Sequence, residues 1–400
     1  MTHGVGGSTA EHELAALARW PQQAPRIGAE EPCHRLKKAR ALLAEIGADA
    51  LVVNAGPSLR YFTGLSWAPS ERLIALVLRA SDAPVLVCPQ FELGSVEAAL
   101  GVLAHVHTWE EHECPHEVLA DALRDGGSRR VAMDPQMPFR HVEQLRRAAP
   151  GLEFIDAAAV IDGCRMHKSQ AELALIRQAM AMTLEVQRRA AAILRPGIST
   201  GQVRRFIDEA HRLLGADNGS TFCAVQLGQA TCYPHGVPGE QELARGDVVL
   251  IDTGCTVDGY HSDITRTYVF GAPTVEQIAV WELERDAQLA AFEAVRPGRS
   301  CESVDASARA VLESAGYGPG YRLPGLPHRT GHGIGLSIHE AAYLVRGDRT
   351  PLAPGMCFSN EPMIVVPGRF GIRLEDHFHV TASGAEWFTP PAASLAAPFG

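Results

Sequence analysis

No run of 18 or more apolar residues occurs in this 400-residue chain, so no helix is expected to cross a bilayer. The first 31 residues lack the apolar stretch and basic flank of a secretion signal. Excess positive charge is missing as well. With 36 Lys and Arg against 46 Asp and Glu, the formal charge is −10, which disfavours nucleic acid and anionic membranes as partners. The nine cysteines contain no Cys-x-x-Cys pair, which excludes a zinc ribbon or a disulfide framework and leaves them as small reduced hydrophobes. A phosphate loop is absent too: Gly331-His332-Gly333-Ile334-Gly335-Leu336 is glycine-rich, but no Lys-Ser/Thr follows and no helix clearly opens there. Together these absences predict a soluble, cytoplasmic protein with neither nucleic-acid nor membrane partners.

At 400 residues and 46% hydrophobic content, the chain exceeds one typical core and two domains are expected. Residues 1–31 are polar and read as a loosely held tail. Over 32–163, helices near 34–46, 94–103, 116–123 and 140–149 are interleaved with apolar strands at 50–53, 72–78, 84–88 and 130–133. That pattern predicts a mixed α/β layer, and no catalytic constellation lies within it.

Residues 164–400 are expected to form the second domain. Ser169-x-x-Glu172 is a capping box ahead of an amphipathic run to Leu194, which Arg195-Pro196-Gly197 ends before a helix over 200–214. Further along, the plan returns as a helix over 275–295, Arg296-Pro297-Gly298, and a helix over 303–315. The strands echo as well. Gly246-Asp247-Val248-Val249-Leu250-Ile251-Asp252 is matched by Gly355-Met356-Cys357-Phe358-Ser359-Asn360-Glu361, and each closing carboxylate is followed by another, Asp263 and Glu375. These echoes predict an α/β (α+β) chain whose second domain is an internal duplication, with two carboxylate pairs meeting across a pseudo-twofold axis.

Asp252 closes an apolar run before Thr253-Gly254, which predicts a strand end. Asp263 follows a Val257-Asp258-Gly259 turn, so an antiparallel hairpin would bring the two carboxylates together. Either Asp alone is more often a turn or cap residue. His328, His332 and His339 bracket the glycine-rich segment, whose glycines would let backbone crowd an imidazole. Arg373 and Glu375 are two apart and share a face of a strand, where the arginine would orient a carboxylate ligand or grip a substrate carboxylate. Four carboxylates in buried, apolar surroundings cannot all ionise without strong cations among them, and two divalent ions would balance them.

Asp252-Thr253-Gly254, Ser262-Asp263-Ile264-Thr265-Arg266-Thr267, Gly331-His332-Gly333-Ile334-Gly335-Leu336 with His339-Glu340, Asn360-Glu361-Pro362 and Arg373-Leu374-Glu375-Asp376 form an ordered set. The set resembles the pita-bread metallopeptidases, closest to the bacterial Xaa-Pro dipeptidases (prolidases) and related to the aminopeptidases P. The first domain is similar to the creatinase-type N-terminal domain of that family. The resemblance implies that Asp252 chelates a first metal, that His332 and Glu361 hold a second, and that Asp263 and Glu375 bridge them. It further implies supporting roles for His235, His328, His339 and Arg373, and a homodimer. One imidazole with four carboxylates suits Mn2+, with Co2+, Zn2+ or iron as alternatives. The chain departs from the family after Glu361, where Val365 stands in place of a tyrosine that many members carry.

The chemistry expected from this resemblance is attack of a hydroxide, shared by the two ions, on the amide before proline in a Xaa-Pro dipeptide. Glu361 would act as base, and His339 with a metal would steady the oxyanion. Alternatives are an aminopeptidase P acting on longer peptides and a non-peptide hydrolase or lyase on the same fold.

Overall fold

The computed structural model describes residues 3–80 and 82–399. The chain divides into two units, one spanning Ile27–Arg165 and the other running from Met166 onward together with the N-terminal segment up to Arg26.

In the Ile27–Arg165 unit, short strands rich in Val, Leu and Ala make one six-stranded sheet. Its members are β1 (Ala50–Asn54), β2 (Ala75–Arg79), β3 (Val85–Pro89), β4 (His105–Trp109), β5 (Arg130–Met133) and β6 (Glu153–Asp156), in the order β4-β3-β2-β1-β5-β6. β1 is antiparallel to β2 and parallel to β5, so the sheet is mixed. Every residue of β1 is buried, as befits a central strand covered on both faces. Leu119 and Leu123 from the Pro115–Arg124 helix and Leu145 from the Phe139–Ala148 helix pack on Val52, Val77 and Val87. The helix expected at 94–103 forms over Leu93–Ala99.

The other unit repeats one plan. Helix Gln170–Ala192 opens with a reciprocal capping box between Ser169 and Glu172, and helix Thr200–Leu214 opens with another between Ser199 and Gln202. A sheet follows, made of β7 (Ser220–Leu227), β8 (Val248–Val257), β9 (Tyr260–His261) and β10 (Ile264–Val269), with β8 central and antiparallel to its neighbours. Next come helix Val275–Ala294, again with a capping box at Thr274 and Gln277, and helix Cys301–Ser314. The second sheet contains β11 (Gly331–Gly333), β12 (Glu340–Leu344), β13 (Cys357–Asn360), β16 (Asp376–Val380) and β17 (Ala385–Trp387), in the order β12-β11-β13-β16-β17. Between β13 and β16 lies the hairpin of β14 (Met363–Val366) and β15 (Phe370–Arg373). The two halves meet where Thr265 and Glu375 form an antiparallel bridge.

One buried glutamine in each half shows the duplication at the level of single atoms. Gln187, on the Gln170–Ala192 helix, donates through Nε2 to the carbonyls of Ile251 and Ile264, each at 2.9 Å. Gln288, on the Val275–Ala294 helix, donates to the carbonyls of Asn360 and Leu374, each at 3.2 Å. Each glutamine thus ties together the two backbone segments that carry its half's carboxylate pair. Across the seam, the guanidinium of Arg266 donates to the Glu375 carbonyl at 3.1 Å and pairs with Asp376 at 2.7 Å, both side chains fully buried. Removing one member of such a pair would strand a charge in a low-dielectric interior.

Two expectations need correction. Residues 3–26 are not a loose tail: helix Ala10–Ala15 forms, Arg189 grips the carboxylate of Glu13 at 2.9 Å, and the Trp20 amide donates to the Leu214 carbonyl at 2.9 Å. The segment's polar groups are matched by polar partners on the two helices, which composition alone does not reveal. Asp252 does not end its strand either. β8 continues to Val257 because Gly254 is extended, with a neighbouring carbonyl, Ser262 O, only 1.9 Å from where a Cβ would sit.

The glutamine staples generate a stability prediction. Gln187→Leu and Gln288→Leu each leave buried carbonyls without a donor and are expected to cost about 1–3 kcal/mol. Urea denaturation of the metal-free protein measures the loss, and an effect in only one of the two variants would contradict the equivalence of the halves.

Candidate metal centre

The hairpin of β8 and β10 pairs Asp252 with Thr265 and Thr253 with Ile264, which brings Asp263, in the two-residue gap before β10, beside Asp252. The turn that permits this has left-handed φ at Asp258 (47°) and Gly259 (75°), the pattern of a tight type I′ connection. In the other half, His332 is the middle residue of β11. A Cβ on Gly331 would lie 2.0 Å from the Ser359 carbonyl oxygen, so only glycine lets β11 sit this close to β13. That approach allows the His332 amide to donate to Ser359 Oγ at 2.8 Å, and the Ser359 hydroxyl in turn donates to Glu361 Oε1 at 3.1 Å. Glu361 follows β13 and Glu375 precedes β16, so these carboxylates project from adjacent antiparallel strands.

The five side chains expected to bind metal converge. His332 Nε2 lies 3.5 Å from Asp263 Oδ2 and 3.3 Å from Glu361 Oε1. Thr265 Oγ1 donates to Glu375 Oε2 at 2.7 Å and accepts from Arg373 Nε at 3.1 Å. Arg373 also pairs with Asp252. Burial, the neighbouring Glu375, Asp252 and Glu361 all push Asp263 well above the usual carboxylate range, with Arg373 opposing. Glu375 is raised in the same way by burial, Glu361 and Asp252. Arg373 is held protonated: burial works against its charge, but the surrounding carboxylates outweigh burial.

Neutral histidine sharpens the picture. Burial pushes His332 down to about 4, and its Nδ1–H donates to the Gly333 carbonyl at 2.9 Å. The lone pair on Nε2 therefore faces carboxylate oxygens of Asp263 and Glu361. Three electron-rich atoms directed at one another repel unless a proton or a cation lies among them, and only cations let all the carboxylates stay ionised. Asp252 Oδ1, Asp263 Oδ1 and Glu375 Oε1 are also buried with no hydrogen-bond partner. Hard oxygen donors, a lone-pair nitrogen and surplus negative charge fit divalent cations.

The supporting residues fall at different distances from this cluster. His339 meets the His332 ring edge-on with centroids 4.3 Å apart, its outer side open to solvent. Burial of its inner side and the neighbouring His332 lower its pKa. His328 donates through Nδ1 to the Arg329 carbonyl at 2.7 Å, while its buried Nε2 has no partner. His235 is exposed on the turn after Tyr233, near enough to His339 to lower that residue's pKa. Arg373 is almost wholly buried and is engaged by Asp252, Thr265 and the Pro234 carbonyl, which matches the ligand-orienting alternative. Val365 is buried in β14 and brings no hydroxyl.

His377 was not foreseen. It is fully buried, and one ligand atom from each of Asp263, His332, Glu375 and His377 lies within 4.8 Å of the others. The two-residue alternation that relates Arg373 to Glu375 also places His377 on the Glu375 face, so the signal was present in the sequence. Thr265 and Ser359 aim Glu375 and Glu361, contacts that form only on folding.

Comparison with known proteins agrees with this geometry. Residues 174–382 match the model of metallopeptidase family M24, and residues 35–167 match that of the creatinase/prolidase N-terminal domain. A probable dipeptidase PepE of Mycobacterium tuberculosis is 39% identical over 363 residues, covering 90% of this chain and 95% of that protein. An Xaa-Pro dipeptidase of Lactobacillus helveticus is 32% identical, covering 88% and 96%. The crystal structure of dipeptidase PepE from Mycobacterium ulcerans superposes with a TM-score of 0.85 at 37% identity, covering 92% of this chain and 97% of that one. The chain belongs to metallopeptidase family M24, with the catalytic domain of that family preceded by a creatinase/prolidase N-terminal domain.

Proposed function

We propose that this protein is a dinuclear metal-dependent dipeptidase that cleaves the amide before proline in Xaa-Pro dipeptides. The observation that carries the proposal is the convergence of His332 Nε2 on carboxylate oxygens at 3.3 and 3.5 Å, beside buried, unpartnered oxygens of Asp252, Asp263 and Glu375. In this reading Asp252 would hold one ion, His332 and Glu361 would hold the other, and Asp263 and Glu375 would serve both. Two such ions, with Mn2+ favoured by the oxygen-rich donors, would supply Lewis acidity and bring a bound water's pKa towards neutrality.

The protein's own groups then divide the work. Glu361, aimed by Ser359, takes the proton of the attacking water and returns it to the departing proline nitrogen. His339, at the open side of His332, donates to the carbonyl oxygen as negative charge develops on it. His328 contributes an unpartnered buried nitrogen beside the scissile amide, and His235 meets the free carboxylate of the dipeptide. Arg373 pairs with Asp252 and orients its carboxylate. With Val365 bringing no hydroxyl, His339 is the side chain this reading places as donor to the oxyanion. By family resemblance, the same reading takes the protein as a cytoplasmic homodimer.

Support for proline specificity comes from the Lactobacillus helveticus relative, named an Xaa-Pro dipeptidase. A second reading, a dipeptidase with wider tolerance at the second residue, is favoured by the higher identity to a relative named only as a dipeptidase. A panel of Xaa-Pro dipeptides, proline-free dipeptides and Xaa-Pro-Xaa tripeptides, assayed with and without Mn2+, separates them. Release of free proline from the first set alone is expected. Cleavage of tripeptides alone would indicate an aminopeptidase P.

Glu361→Gln is expected to abolish turnover while far-ultraviolet circular dichroism stays unchanged, and retention of more than about a tenth of the wild-type rate would refute the base assignment.

Removing the ions is expected to expose the buried charge as a pH effect. In the metal-free fold Asp263 and Glu375 keep protons that the unfolded chain loses in the ordinary carboxylate range. Their contribution to stability therefore falls as pH rises from that range through their elevated folded values. The buried histidines act in the opposite sense below about pH 6.5, so the effect is read above it. Chelated protein should lose thermal stability with rising pH more steeply than the Mn2+-loaded protein, whose slope should be flatter. Identical slopes with and without the ion would contradict the charge balance.

A further inference from the structure

We infer that His377 is a second imidazole ligand of this centre, joining Asp263, His332 and Glu375 around one of the two ions. The inference rests on the dinuclear reading above and extends it to a residue outside the expected ligand set.

His377 is fully buried, and neither ring nitrogen has a hydrogen-bond partner. A buried imidazole with no completed hydrogen bond at either nitrogen is an uncommon arrangement, since buried polar groups are overwhelmingly paired. Its surroundings supply a reason. The ring inclines at 67° to that of His332, with centroids 5.9 Å apart, so the two imidazoles are tilted rather than stacked. The donor atoms of His377, His332, Asp263 and Glu375 lie within 4.8 Å of one another. With metal–nitrogen and metal–oxygen bonds of about 2.0–2.2 Å, donor atoms this close together are within reach of one cation.

The backbone makes the placement firm. His377 pairs with Ser359 in the β13–β16 ladder, two residues past Glu375 on the same face, and Phe358 pairs with Phe378 beside it. The Asp263 main-chain carbonyl lies close to the ring without completing a hydrogen bond, a ready acceptor for the N–H opposite a metallated nitrogen.

A second neutral imidazole adds a nitrogen donor without adding charge, so two divalent ions still balance the four carboxylates. It makes the two positions unlike. The one held by Asp252 with the shared carboxylates keeps oxygen donors alone, whereas the other gains two nitrogens and shifts towards Co2+ or Zn2+ over Mn2+.

X-ray absorption at the metal edge of the metal-free full-length protein reloaded with Co2+ tests this directly. Imidazole scattering from the wild type is expected to average one histidine per ion, and from His377→Asn one half. Equilibrium dialysis should show one of two Co2+ sites weakened at least tenfold in His377→Asn, with a smaller change for Mn2+. A wild-type average of one half, or a variant with both sites and its spectrum unchanged, would overturn the inference while leaving the dinuclear reading intact. Wild-type protein that binds no divalent ion would overturn both. Should His377→Asn fail to fold, the wild-type histidine count decides alone.

Discussion

Buried carboxylates that can all ionise together only with cations among them are the constraint around which the catalytic unit is organised. Asp263 and Glu375 are sealed from solvent next to two further carboxylates, and Arg373 opposes the rise in pKa of both. A single guanidinium cannot balance four carboxylates. The remaining deficit is what makes the site a receptor for metal, and the fold must hold the mutually repelling groups in place before any ion arrives.

Duplication is how the fold does this. Each half offers a helix with a buried glutamine that clamps the backbone on which two carboxylates stand, Gln187 beneath Asp252 and Asp263, Gln288 beneath Glu361 and Glu375. Hydrogen bonds to backbone carbonyls are indifferent to the charge state of the side chains above them, so the frame is the same for the loaded and metal-free protein. Arg266 and Thr265 then fasten one half to the other at Glu375, the residue that both ions would share. Rigid strands and helices, rather than loops, carry every carboxylate of the cluster or flank it directly, which is the arrangement that holds ligand geometry tightly.

Much of this was legible before folding. The capping box at Ser169 and Glu172, the helix over 200–214, and the echo between the segments ending at Asp252 and Glu361 are local patterns, and the structure contains each. Asp258-Gly259 announced the hairpin because both positions need left-handed backbone, which few residues tolerate. Other features depended on partners distant in the chain. Thr253-Gly254 looked like a strand end, yet Gly254 serves close packing against Ser262 within a continuing strand. The polar segment before Arg26 looked unattached because its partners, Arg189, Ala191 and Leu214, are remote in sequence.

The sequence by itself determined which groups carry charge, which lie on one face of a strand, and which segments repeat, because these follow from side-chain chemistry and from the periods of helix and strand. Only the tertiary structure decided how near a nitrogen of His377 comes to Asp263, His332 and Glu375, and that Arg373 pairs with Asp252. The physical reason is that burial and mutual distance set both the pKa of an ionisable group and its choice of partner, and neither exists until the two halves close on each other.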